Sequence, residues 1–217
     1  MLDKLKKISH NTSMLFIYSR FKLKKWKRYD PEKRHSVLQA LENKLAKEQK
    51  RTPIPVIIHE NPNWHCYGMF VAQGNEKRLY IHENLLLDPS MRFHALETII
   101  HEGRHAMQYM KVFGKKLKWY EFKAKRWRDN WQGYFSSKED ETIYNNQEIE
   151  RDAQAYTIKK LEKLARKYKN ERDFAYTLQA NINRYNYAEQ QATKKYGTFA
   201  RWRINRKVRR KSQGKKY

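Results

Sequence analysis

The chain has 217 residues, 48 of them Lys or Arg against 23 Asp or Glu, for a formal charge of +25 and a pI near 10. That length fits one domain with a core and a cleft. No run of about 20 apolar residues exists to cross a bilayer, and the five-residue apolar run 14–18 behind Lys4, Lys6 and Lys7 is too short for a secretory signal. Cys66 is the sole cysteine, which excludes an intrachain disulfide and predicts a reducing, cytoplasmic setting. A positive excess this far beyond what solubility needs predicts an anionic partner, DNA or RNA or an acidic protein.

The charge concentrates at the ends, and the expected layout is a basic N-terminal arm (1–29), a catalytic domain (30–196) and a basic C-terminal tail (197–217). Lys22, Lys24, Lys25, Lys27 and Arg28 form one cluster; Arg201, Arg203, Arg206, Lys207, Arg209, Arg210 and Lys211 form the other. These runs read either as arms laid on phosphate or as solvated tails. Trp26, Tyr29, Phe199 and Trp202 lie among them, placed to stack on bases, sit in a membrane interface or pack on the domain.

Within the domain, Asp30 as a cap and Pro31 in the first turn predict a helix over 31–51, with Val37, Leu38, Leu41 and Leu45 on its inner face. Three β-type segments follow, 55–59, 67–72 and 78–82. The last two flank Gly74-Asn75, which predicts a hairpin in a small three-stranded sheet. Asp88-Pro89 then opens a helix to about residue 112. Residues 114–135 are basic and aromatic, with Trp119, Trp127, Trp131 and Tyr134, and suit helix broken by loop. Helices are expected over 144–168 and 171–195, the latter using Phe174, Leu178, Ile182 and Tyr185 as its core stripe. The fold class is α+β, mainly helical.

The chemistry lies in His101-Glu102-Gly103-Arg104-His105, an H-E-x-x-H pattern. Two histidines at i and i+4 project from one helix face and bind one Zn2+, while the glutamate serves as general base. Zinc lowers the pKa of its bound water, and a neighbouring carboxylate takes the proton and later passes it on. At about 100° per residue, Leu96, Ile99, Ile100, Gly103, Ala106, Met107 and Met110 share a face opposite His101 and His105. Gly103 costs about 1 kcal/mol in a helix interior, which close packing on the apolar side would offset. Arg104 points off that face and reads as a surface residue or the partner of an acid.

A catalytic zinc needs a third protein ligand. Glu148 and Glu150 compete, and helical phase favours Glu150, because Ile149, Ala153, Leu161 and Leu164 define an apolar face with Glu150 near its edge. A carboxylate there is costly unless paired with a charge or a metal.

HEGRH followed by Glu150-Arg151-Asp152-Ala153-Gln154-Ala155-Tyr156 resembles the gluzincin arrangement found in compact ImmA/IrrE-type peptidases. The stretch HEGRHAMQ, a Trp- and Tyr-rich connection and an E-x-D-A helix also resemble zincin domains of bacterial polymorphic toxins and mobile elements. The resemblance covers roughly 78–156 and implies a zincin-like fold, with the small sheet beside the HExxH helix and 78–82 as the edge strand above the metal. It implies His101, His105 and Glu150 as zinc ligands, Glu102 as base, and Asp152 or Gln154 as the group orienting a ligand histidine. Thermolysin-like members place an Asp four residues after the ligand Glu, a spacing that Glu148 and Asp152 meet, which keeps Glu148 as the alternative. Tyr144 and Tyr156 are the candidates to stabilise an oxyanion. His82, His94 and Thr98 read as polar surface residues, not ligands.

The expected function is a zinc-dependent metallopeptidase acting on a protein substrate, brought to nucleic acid or an acidic partner by its basic surface. Two other readings stand beside it: a nucleic-acid-binding mobile-element protein whose zinc is structural, and a zincin toxin domain. Nothing in the sequence fixes an oligomeric state.

Overall fold

The computed structural model describes residues 16–61, 63–114, 117, 118 and 120–215. Lys4, Lys6, Lys7, the start of the 14–18 run and Trp119 lie outside the described residues. The chain is mainly helical with one small mixed sheet and forms two compact units. One comprises the described residues up to Gly103 with Leu164–Thr177; the other comprises Arg104–Lys163 and Leu178–Tyr217 as far as these are described. Among the described residues no helix is long and apolar enough to cross a membrane.

The first unit begins with what was expected to be a basic arm. Its described part is folded: Ile17, Tyr18, Phe21 and Trp26 are buried, and Phe21 stacks on Trp26 at 5.0 Å in the short helix α1 (Leu23–Trp26). Trp26 is 0% exposed, so it packs on the unit and is closed to an outside ring, while Lys22, Lys24, Lys25, Lys27 and Arg28 remain exposed. Helix α2 (Pro31–Glu48) starts where the cap and proline place it, with the Asp30 carboxylate accepting from Lys33 N at 2.6 Å and all four expected core residues buried. It stops three residues short of 51. Lys50 turns through φ 53°, and Arg51 folds back to fork onto buried Glu42 at 2.6 and 2.7 Å.

The sheet contains β1 (Val56–His59), β2 (Gly68–Gln73) and β3 (Glu76–His82) in the order β1-β3-β2. β1 runs parallel to β3, and β2 forms the expected antiparallel hairpin with it, Gln73 opposite Glu76 and Gly74 supplying the positive φ, 56°, at the turn. One implication of the family resemblance is corrected here: β3 is the central strand, paired on both sides, so 78–82 cannot be an edge. The hairpin folds β2 to the outside instead. At the far end, the rings of His59 and His82 lie over Trp64 at 4.3 and 6.2 Å.

Helix α3 (Asn84–Leu87) leads to the Asp88-Pro89 signal, which opens a 3-10 turn (Pro89–Met91) with Asp88 accepting from Ser90 N at 2.8 Å. The helix proper, α4, spans Arg92–Phe113 and runs from the first unit into the second. Its start is anchored by Arg92, fully buried, which donates to Asp173 at 2.7 Å, to Glu171 at 2.8 Å and to the Phe21 carbonyl at 3.1 Å. Phe93 packs beside it on Tyr168 and Phe174.

The second unit continues with α5 (Phe122–Gln132), α6 (Ser137–Asn146), α7 (Glu148–Ala165, to Lys163 here), α8 (Arg172–Tyr196, from Leu178 here) and α9 (Ala200–Ser212). The single helix expected over 144–168 is two. Gln147 leaves helical geometry with ψ 150° because its side-chain amide bonds both the N–H and the carbonyl of Phe135, and Asn130 accepts from Ile149 N at the start of α7. On α8 the stripe is rotated from the expected one: Phe174, Thr177, Asn181, Ala188, Ala192 and Tyr196 are buried, and Leu178, Ile182 and Tyr185 are half-buried. Apolar periodicity misplaced it because Thr177 and Asn181 satisfy their polar atoms while buried, Thr177 on the Asp173 carbonyl one turn back and Asn181 on the Gln154 amide of α7. The basic stretch after Tyr196 is helical rather than a solvated tail. Ala200, Ile204 and Val208 of α9 join Phe135, Ile143, Ala192 and Tyr196 in a buried cluster.

Candidate metal centre

α4 carries the HExxH residues in one unbroken helix, and the face read from sequence is the buried one: Leu96, Ile99, Ile100, Gly103 and Ala106 are enclosed, and Met107 and Met110 partly so. Gly103 explains its own presence. A Cβ there would come within 3.2 Å of Glu42 Oε2 and 3.1 Å of the Arg51 guanidinium, so the helix sits directly on that buried ion pair. Glu102 lies toward β2, where one of its carboxylate oxygens accepts from Phe70 N at 2.8 Å. Gly68 permits this approach, because a Cβ on it would overlap the Thr98 methyl and crowd Glu102 Cγ at 3.3 Å.

The opposite face of α4 is not open to solvent along its second half. His105 is 6% exposed and Gln108 fully buried, against α7 and the aromatic residues of α5. His105 Nδ1 meets Gln108 Oε1 at 2.9 Å. As Gln108 Oε1 can only accept, Nδ1 carries the hydrogen, and in the neutral imidazole Nε2 then presents the lone pair. That Nε2 lies 3.4 Å from Glu150 Oε2. Gln108 is fixed in turn, its amide donating to the Ile149 carbonyl at 3.0 Å and to Asp152 Oδ2 at 2.9 Å. Asp152 also receives Arg104 at 2.7 Å and Lys123 at 2.6 Å. Burial pushes its carboxyl up, but the hydrogen bonds from Arg104 and Lys123 outweigh this and hold it below the ordinary value.

Tyr134, from the loop after α5, donates to Glu150 Oε1 at 2.8 Å. Burial, reinforced by the Glu150 carboxylate, raises its phenol far above the ordinary range, so it stays a donor. His101 stands one turn before His105, and one donor atom each from His101, His105 and Glu150 all lie within 4.8 Å of one another. Two imidazoles and a carboxylate at that spacing are a donor set that could hold a metal ion, and they are of the nitrogen and oxygen type that zinc accepts.

Glu150, not Glu148, therefore joins the histidines. Glu148 pairs with Arg126 at 3.3 Å, 26% exposed. Of the two tyrosines expected at the site, Tyr156 is instead covered by the Arg104 guanidinium at 4.7 Å and by Lys160. Tyr144 is a neighbour of Tyr134, edge-on at 6.1 Å and hydrogen-bonded to it. Gln154 bonds Asn181 and orients no histidine, while Asp152 acts on His105 only through Gln108. His82 and Thr98 are buried rather than at the surface, His82 accepting from Asn84 N and the Thr98 methyl packed on Gly68, while His94 sits by Glu97 and the Tyr67 ring. Sequence reasoning passed over Gln108, although its i+3 spacing from His105 was a usable signal. It also passed over Tyr134, for which nothing local pointed to Glu150. Comparison with family models, curated proteins and solved structures finds no match.

Proposed function

We propose that the chain is a zinc-dependent metallopeptidase of gluzincin type, and the observation that carries this reading is the His101, His105 and Glu150 donor cluster with Glu102 between its two histidines. Zinc held there supplies a Lewis acid that acidifies water and polarises a carbonyl. Gln108 keeps His105 in the tautomer whose Nε2 is a ligand, and Tyr134 holds Glu150 by its outer oxygen, leaving Oε2 toward His105. Glu102 takes the proton from the attacking water and delivers it to the leaving amine. The Phe70 N–H, donating to one of its oxygens, fixes the direction of the carboxylate. β2, the edge strand that bears Phe70, offers the backbone against which an extended peptide pairs.

The test is metal analysis together with cleavage of a randomised peptide library by zinc-loaded protein. Wild type is expected to bind zinc stoichiometrically and to cleave. Glu102→Gln should retain the zinc and lose about 10²–10⁴-fold in rate. Failure to retain zinc, or cleavage unchanged in Glu102→Gln, overturns the proposal.

A further inference from the structure

Helix α9 carries seven basic residues and no acidic one in thirteen. Ala200, Ile204 and Val208 bury one side of it in the second unit. Placing residues about 100° apart puts Trp202, Arg203, Arg206, Arg209 and Arg210 within an arc of about 120° on the opposite side. All five are exposed. Arg209 reaches Asp129 only at 3.5 Å, and Arg203, Arg206 and Arg210 pair with no carboxylate among the described residues. Arg203 donates to the Tyr196 carbonyl, and Arg206 lies over the Trp202 ring at 5.4 Å. The result is a ridge of charge in which, among the described residues, only Arg209 meets a carboxylate.

At the N-terminal end of this ridge lies a cleft of about 250 Å³ bordered by Phe199, Arg201 and Trp202 on one side and Ala192 and Thr193 on the other. Phe199 and Trp202 are 70% and 60% exposed. The carboxylate in its wall, Glu189, is taken up by Arg201 at 2.6 Å and Arg151 at 3.3 Å.

We infer that the outward face of α9 and this cleft form a binding site for single-stranded nucleic acid, with phosphates along Arg203, Arg206 and Arg210 and an unstacked base against Trp202 and Phe199. Guanidinium groups at helical spacing neutralise successive phosphates, and exposed aromatic rings beside them stack on bases without regard to sequence. A duplex presents phosphates but keeps its base faces covered, so it uses the ridge and wastes the rings. A membrane surface needs an apolar face to bury, and the apolar face of α9 is already enclosed. An acidic protein satisfies the arginines but has no planar base for the cleft.

The test is fluorescence anisotropy with a labelled oligothymidylate of about 20 nucleotides, longer than one site of roughly 4–16. A duplex of equal length, poly-L-glutamate and phosphatidylserine vesicles serve as competitors. The full chain should prefer the single strand, and the triple variant Arg203→Ala, Arg206→Ala, Arg210→Ala should lower the slope of log affinity against log salt by about 2. Trp202→Ala should weaken binding about tenfold and Trp202→Phe should restore most of it. These positions are exposed, so an unchanged melting temperature checks that each variant is folded. Competition by duplex, polyglutamate or vesicles as strong as by the single strand overturns the inference. So does full affinity in Trp202→Ala or in the triple variant. No residue of the metal centre lies on this face, so either outcome leaves the peptidase proposal to its own test.

Discussion

Arg104 on α4 and Arg206 on α9 are the same side chain in opposite surroundings. Arg104 is 18% exposed, forks onto Asp152 and is covered by the rings of Trp127 and Tyr156. Arg206 is exposed, has a ring beside it and meets no carboxylate among the described residues. Around the candidate metal centre the described polar groups hold one another, down to Gln108 on His105 and Tyr134 on Glu150. Along the outer face of α9, Arg203, Arg206 and Arg210 meet no carboxylate among the described residues. The contrast separates two uses of a basic residue: enclosed and paired, it positions a site; outward and unpaired, it is available to a partner. A net charge of +25 does not distinguish them.

The contrast is broken most severely at Asp152. Asp152→Ala strands the partly buried Arg104 and leaves the amide nitrogen of the fully buried Gln108 only its bond to the Ile149 carbonyl, for an expected loss of about 2–4 kcal/mol in denaturant unfolding. It should also weaken zinc binding about 10–100-fold in a chelator competition, because Gln108 then loses one of its two anchors and holds His105 less firmly. Arg206→Ala is the matching change on α9, and its stability should stay within about 0.5 kcal/mol of wild type. Comparable losses from both substitutions would erase the distinction.

A finer test is Tyr134→Phe, which removes one hydrogen bond to Glu150 without emptying the space. About 1–2 kcal/mol of stability should go, with a smaller fall in zinc affinity than Asp152→Ala produces. Equal effects would mean that Glu150 and His105 depend on their supports alike. The smallest expected effect lies at the surface. The Lys211 ammonium bonds Glu139 and holds its carboxyl to about 2, from an ordinary 4.5. Because the folded value is the lower one, the contribution of Glu139 is complete above about pH 4.5 and is lost as pH falls towards 2. Acid unfolding curves of wild type and Glu139→Gln should therefore converge across that window, by a modest amount, since the pair is solvent-screened.

The sheet and the long helices were legible in the sequence because their signals are local: Gly74-Asn75, Asp30-Pro31 and Asp88-Pro89 each act within a few residues. HExxH and the phase of Glu150 were legible for the same reason, being matters of helical spacing. What was not legible depended on long-range polar bonds. Gln147 splits a predicted helix by bonding Phe135, twelve residues away, and Asn181 helps displace an apolar stripe because it meets Gln154, 27 residues away. Tyr134 reaches Glu150 only after the chain has turned at Gly133. Trp26 and Trp202 looked alike as aromatics among lysines and arginines, and only packing shows that one is sealed and the other presented.

Gly133 has a consequence of another kind. A Cβ there would collide with the Val208 carbonyl, so α9 meets the end of α5 main chain against main chain. A joint made by backbone atoms is indifferent to side chains on the far side of the helix. The outer face of α9 can therefore be rewritten, by mutation in nature or by grafting in the laboratory, without renegotiating how the helix is seated. Gly133 itself is the position that tolerates no such editing.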